Sequence, residues 1–202
     1  MATNNNQSNS YATYVVWVLL IASLFALSLH INAQGLKLQN VGYSVYYDTL
    51  LNCPRQVRWT IHKAMLIPRA TRMNLSFRAD GRCPRPRVST SDFSRSGLQR
   101  GHMCPAADMG FSADAMRSTF LMSNIAPQAP ALNMGRWKHT EDICRELARN
   151  YGRVSVGVAP LFLPDDTLYI GKHHVAVPHA FFKVAFVPDK VGVYYIWCFM
   201  NY

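Results

Sequence analysis

Arg100 and His102 stand one glycine apart in the segment Leu98-Gln99-Arg100-Gly101-His102-Met103-Cys104-Pro105-Ala106-Ala107-Asp108. Further along come Ser123-Asn124-Ile125-Ala126-Pro127-Gln128, then Leu132-Asn133-Met134-Gly135-Arg136-Trp137, then Glu141 and Arg145. Alternate residues of an extended segment share a face, so Arg100 and His102 point the same way. An unperturbed imidazole titrates near pH 6.5 and can take a proton from water without prior tuning. Asn133 offers a neutral oxygen suited to a hard cation that keeps most of its waters. A base, a hard ligand, an acid and two guanidiniums form the set that metal-assisted cleavage of a phosphodiester requires.

Each residue also has a plainer reading. A single histidine is usually structural, and the chain has seven; His173, His174 and His179 lie in a Gly/Pro-bounded stretch with no acid or Arg motif beside them. Asn133 stands where a helix begins, and Asn is a favoured N-cap, so on spacing alone it is a cap before it is a ligand. Asn133, Trp137, Glu141 and Arg145 recur every fourth residue and follow one helical stripe. Eight residues of straight helix rise roughly 12 Å, too far for Asn133 and Glu141 to share one metal's inner sphere. Glu141 then acts through a water, orients a neighbour, or pairs with Arg145. An exposed pair of that kind is worth only about 0.3–0.5 kcal/mol. Trp137 reads as core.

The elements that must position these groups are mixed. Tyr43–Tyr47 and Val57–Ile61 alternate as half-buried strands do, as do Val154, Val156 and Val158. Residues 121–125, Phe181–Val187 and Val191–Phe199 read as further strands, the last two joined by a Pro188-Asp189-Lys190 turn. Residues 65–97, rich in Pro, Gly and Ser, read as loop. Residues 114–120 read as a short helix, and the clearest helix runs over 133–150, with Gly152 as its stop. The fold class is α+β with antiparallel character.

The 202 residues have an ordinary globular composition, 50% hydrophobic and 16% charged. The net charge is +10, and eleven basic residues against two acids fall between Arg55 and Arg100. Such a stripe attracts a polyanion, although a basic face by itself is also an ordinary solvated surface. Residues 1–36 carry no Asp, Glu, Lys or Arg. The apolar run Tyr14–Leu29 followed by Ile31-Asn32-Ala33 reads as a signal peptide cleaved after Ala33, which predicts export to a periplasm or the outside. A retained membrane anchor is the other reading, since 13–31 is just long enough to span. The remainder, 34–202, reads as one domain. Five cysteines lie beyond the leader; Cys53 and Cys83, both in Cys-Pro loops, are the first candidates for a bridge, and Cys144 reads as core. No zinc-finger spacing occurs.

Taken together, Arg-Gly-His-Met-Cys-Pro-Ala-Ala-Asp, Met-Ser-Asn-Ile-Ala-Pro-Gln, Leu-Asn-Met-Gly-Arg-Trp and Glu-Asp-Ile-Cys-Arg resemble the DNA/RNA non-specific endonuclease family, the ββα-metal nucleases. The resemblance is densest from Leu98 to Pro160 and weaker to either side. It implies a central antiparallel sheet with a ββα-metal motif packed against a long helix. It implies His102 as general base, Asn133 as the protein ligand to Mg²⁺ (or another divalent cation such as Mn²⁺), and Arg100 as a phosphate contact. Glu141 would stand near the metal's waters and Arg145 would help the leaving phosphate, with DNA and RNA as substrates, 5′-phosphate products and no small-molecule cofactor. The chain departs from the family at Gln99, where the motif has Asp, and it stops early, which reads as a truncated or alternative form. Two rival readings follow: a catalytically impaired nucleic-acid-binding relative, and a membrane-anchored basic interaction protein.

Overall fold

A computed structural model describes residues 35–163, 165–188 and 194–202. The leader and the turn at 189–190 lie outside these residues. Six strands form one sheet: β1 (Gly35–Gln39), β2 (Tyr43–Asp48), β3 (Cys53–His62), β6 (Arg153–Leu161), β9 (Ala180–Phe186) and β10 (Tyr194–Met200), in that spatial order. Every pairing is antiparallel. Two smaller pairs stand apart: β4 (Gln99–His102) with β5 (Ile125–Gln128), and β7 (Tyr169–Ile170) with β8 (Val175–Ala176). The class is therefore α+β with a central antiparallel sheet and one long helix, as the sequence pattern and the family resemblance imply.

The sheet follows from alternation. Val57, Trp59 and Ile61 of β3 are buried beside Val154, Val156 and Val158 of β6, while the residues between them face outward. Helix α1 (Ala113–Thr119) is capped by Ser112, whose hydroxyl accepts from the Ala115 amide. Helix α2 (Lys138–Tyr151) buries Thr140, Cys144, Leu147 and Ala148 and packs on β3 and β6. It ends at Gly152 with φ +84°, a conformation that favours glycine.

Several expectations are corrected. The helical run starts at Pro130 and not at Asn133, because Pro130 supplies an unstrained first turn, Pro130–Leu132. Asn133 has helical φ/ψ inside that run and is not an N-cap. A π-bulge at Asn133–Trp137, with Gly135 at φ −103° and ψ −108°, separates it from α2, so the helix is not straight. Residues 121–125 do not form a strand: a tight turn at Met122–Asn124 precedes β5. The cystine is also absent, since Cys53 and Cys83 are buried free thiols, as are Cys104 and Cys144. Each packs as a small apolar side chain, with burial pushing its thiol toward the neutral form. Among the described residues, no helix is long and apolar enough to cross a membrane.

Candidate active site

The β4–β5 pair carries the first two candidates. His102 lies opposite Ile125, Gly101 opposite Ala126 and Arg100 opposite Pro127. A Cβ on Gly101 would collide with the Gln128 side chain from its Cβ to its Oε1, so only glycine lets that side chain lie across the strand. Asn124 clamps the chain just beyond. Its Oδ1 accepts from the Cys104 amide at 3.0 Å, and its Nδ2 donates to the carbonyls of Cys104 (2.9 Å) and Thr119 (3.0 Å). Phe77 touches both functional side chains, with its ring 5.2 Å from that of His102 and 4.9 Å from the Arg100 guanidinium carbon. Arg100 and His102 therefore share a face, and Arg100 remains exposed.

The imidazole of His102 packs against both Phe77 and Phe120, the Phe120 ring lying 5.1 Å away edge-on, and the two phenyl rings also touch each other. Its backbone is held from the helix side, where Trp137 Nε1 donates to the His102 carbonyl at 3.2 Å. Burial, with a smaller push from Arg72, lowers the imidazole pKa from 6.5 to about 4. The ring is neutral at pH 7. Its Nε2 is buried without a hydrogen-bond partner among the described residues.

Across from β4, Asn133 projects from the bulged turn. Its Nδ2 donates to Gln99 Oε1 at 2.7 Å, which turns the amide oxygen away from Gln99. Gln99, Arg100 and Asn133, with Phe77, Phe93, Ser94 and Leu98, line an open cleft of about 500 Å³. A neutral amide oxygen in a polar cleft fits a hard cation that keeps its waters. Among the described residues, no group of three or more His, Cys, Asp or Glu could hold a metal.

His102, Glu141 and Arg145 do not line this cleft; His102 meets it through Phe77, which touches the imidazole and forms part of the cleft wall. Arg145 is engaged elsewhere: Nη1 donates to the buried Asp108 at 2.8 Å and Nη2 to Asp142 at 2.5 Å. Asp108 also accepts from Trp59 Nε1 at 2.8 Å, so this cluster ties α2 to β3 and to the turn after His102. Burial raises the carboxyl of Glu141 from 4.5 to about 7, against an opposing pull from Lys183. Lys183 itself is 1% exposed in β9. Its ammonium donates to Thr140 Oγ1 at 2.9 Å and lies 3.7 Å from the Trp137 ring centre.

Asp108, Asn124 and Lys183 carry no expectation from spacing alone. The signal for Lys183 is the lone charge in the apolar strand Ala180-Phe181-Phe182-Lys183-Val184-Ala185-Phe186. Asp108 and Asn124 lie within the motifs but at no distinctive spacing. His173 is engaged structurally, its Nδ1 lying 2.8 Å from Asp92 Oδ2.

The chain is similar to known proteins. Human mitochondrial endonuclease G is 46% identical over 115 residues, covering 52% of this chain and 39% of that protein. Nuclease 1, mitochondrial, of Schizosaccharomyces pombe is 36% identical over 166 residues, covering 76% and 51%. The chain thus spans about half or less of the relatives it matches. A crystal structure of the EndoG/EndoGI complex, described as showing the mechanism of EndoG inhibition, superposes with a TM-score of 0.76. It is 26% identical, over 82% of this chain and 74% of that one. The sequence profile described as DNA/RNA non-specific endonuclease matches residues 22–201, and the chain belongs to that family.

Proposed function

We propose that the protein is a metal-dependent, sequence-non-specific endonuclease acting on DNA and RNA. The observation that carries this reading is a neutral, half-buried His102 on one face with an exposed Arg100, beside the cleft that Asn133 enters. His102 takes the proton of a water whose oxygen attacks phosphorus, the bond to the 3′ oxygen breaks to leave a 5′-phosphate, and the departing oxygen takes a proton from a second water to end as a 3′-hydroxyl. Arg100 holds a non-bridging phosphate oxygen, its guanidinium braced on Phe77. Asn133 would hold Mg²⁺ or another divalent cation, which when bound offsets charge on the phosphate and on the departing oxygen. By the family resemblance Glu141 would orient water for that ion and Arg145 would support the leaving phosphate, its guanidinium being fixed by bonds to Asp108 and Asp142. Contacts limited to phosphate and sugar accept DNA and RNA alike.

On the same reading, residues 1–33 are a leader that takes the domain, 34–202, to or across a membrane. The human and Schizosaccharomyces pombe relatives are both named as mitochondrial. Sequencing the amino terminus of the protein recovered from cell fractions tests this, and a soluble product that begins at Met1 argues against it.

The activity is tested by following plasmid DNA and RNA on gels with Mg²⁺ and with EDTA, beside His102→Ala. Degradation of both that needs the metal and is lost in the variant is the expected result. Nucleic acid that is shifted but uncut would identify a binding-only relative. A His102→Ala protein as active as the parent would remove the base.

A further inference from the structure

Gln99 and Asn133 are 34 residues apart in sequence yet form a direct amide pair, with Asn133 Nδ2 donating to Gln99 Oε1 at 2.7 Å. Among the described residues, the Gln99 amide nitrogen meets only the sulfur of Met134, at 3.6 Å. In this sense of the pair, the Asn133 carbonyl oxygen is free of Gln99. In the reversed sense, the Gln99 amide would donate to that oxygen and occupy the electron pair a cation needs. A carboxylate at position 99 could only accept, so it would hold Asn133 in one sense and add a negative charge. Gln99 does the first incompletely and the second not at all.

The surrounding charge sharpens the point. None of the residues that line the cleft is acidic, and its one formal charge is the Arg100 guanidinium. Glu141 stands eight residues along a bulged helix, with the buried Lys183 opposing its charge. Hard divalent cations are held by several oxygens, commonly with carboxylates among them. A single amide oxygen beside a guanidinium is a weak site, and nucleic acid would bring the missing anionic oxygens.

We propose that Gln99 is a positioning residue that turns the Asn133 carbonyl toward the cleft, and that this neutral pair captures a divalent cation only together with a nucleic-acid phosphate. The proposal rests on Asn133 as the ligand. It predicts ordered assembly, in which the free protein has little affinity for the ion and the polyanion completes the site.

The test is Mn²⁺ uptake followed by electron paramagnetic resonance on the full chain, in a His102→Ala background that prevents cleavage. Mn²⁺ is titrated alone and with a short single-stranded DNA oligonucleotide, with circular dichroism to verify each fold. Without oligonucleotide, the Gln99→Glu protein should bind Mn²⁺ about tenfold or more tightly than the parent, because a carboxylate of equal reach adds charge at the ligand. With oligonucleotide, the parent should take up Mn²⁺ beyond the oligonucleotide's own share, Gln99→Ala less, and Asn133→Ala none. Equal Mn²⁺ affinity of free parent and free Gln99→Glu would overturn the proposal, as would a Gln99→Ala protein that matches the parent with oligonucleotide. Both of those results leave Asn133 as ligand. Uptake unchanged in Asn133→Ala removes the ligand and the proposal together.

Discussion

Burial displaces His102 and Glu141 in opposite directions, so their contributions to stability run against each other with pH. The imidazole is held at about 4 against 6.5, and the Glu141 carboxyl at about 7 against 4.5. From pH 4 to 6.5 the unfolded chain binds a proton at His102 that the folded chain refuses, so stability rises with pH through that window. From pH 4.5 to 7 the folded chain keeps a proton on Glu141 that the unfolded chain has released, so stability falls with pH. At about 1.36 kcal/mol per unit each displacement is worth about 3 kcal/mol, and partial exposure of both side chains trims this to roughly 2. In the parent the two slopes nearly cancel. Relative to the parent, His102→Asn should lose about 2 kcal/mol as pH rises through its window, while Glu141→Gln should gain a similar amount through its own. Urea unfolding at several values between about pH 4.5 and 7.5 measures this, and taking differences removes the carboxylates common to all three proteins. Parallel stability curves for the three would refute the opposed displacements.

Gly101→Ala places a methyl against the Gln128 side chain, and should cost about 1–3 kcal/mol in urea unfolding together with nuclease activity. Asp108→Asn leaves the Arg145 guanidinium one carboxylate, Asp142, and should cost about 3 kcal/mol, lowering Tm by about 10 °C in calorimetry. Lys183→Met removes the cation that opposes the rise of Glu141, so the acid limb of the kcat/KM profile should move to higher pH, as rates measured across that limb would record. Substrate binding by the His102→Ala protein should weaken steeply with salt, which filter binding at graded ionic strength would show; an affinity indifferent to salt argues against phosphate contacts.

What was legible in the sequence depended on range. Strand alternation at Tyr43–Tyr47 and Val57–Ile61 marks β2 and β3, because one face of each is buried in the sheet. The pairing of Arg100 with His102 is a two-residue spacing, and Phe77 lies against both. Strand β1 is five residues directly after the apolar leader, too short to stand out from it. The start of the helix is not legible in the sequence because Pro130–Leu132 is less than one turn and the bulge at Gly135 breaks the periodicity that spacing arguments assume. The bond from Asn133 to Gln99 and that from Arg145 to Asp108 join segments more than thirty residues apart. No local pattern encodes them. Cys53 and Cys83 share a Cys-Pro motif that suggests pairing, but such a motif does not say whether two buried thiols are oxidised.

Unsatisfied polar capacity is distributed unevenly in this fold. The buried carboxylates among the described residues are saturated: Asp48 is bonded by Leu50, Leu51 and Arg55, Asp80 by Arg82 and Ser123, Asp92 by Ser89 and His173, and Asp108 by Arg145 and Trp59. Among the described residues, four buried side-chain atoms lack a partner, and three of them belong to His102 and Gln128 on the β4–β5 pair. Each such group costs about 1–3 kcal/mol. Gln128 lies over Gly101, so these atoms sit on one strand pair, next to the exposed Arg100 and the Asn133 cleft. A sequence selected for stability alone would fill those positions with apolar side chains, as it does at Ile125 and Ala126 on the same strand. That polar groups are kept without partners here, while the supports around them are fully bonded, is the pattern expected where a fold gives up stability for chemistry. The pattern is consistent with the proposed centre on β4, and on that proposal replacing Gln128 with Met should stabilise the fold, as urea unfolding would show, while changing the rate of cleavage.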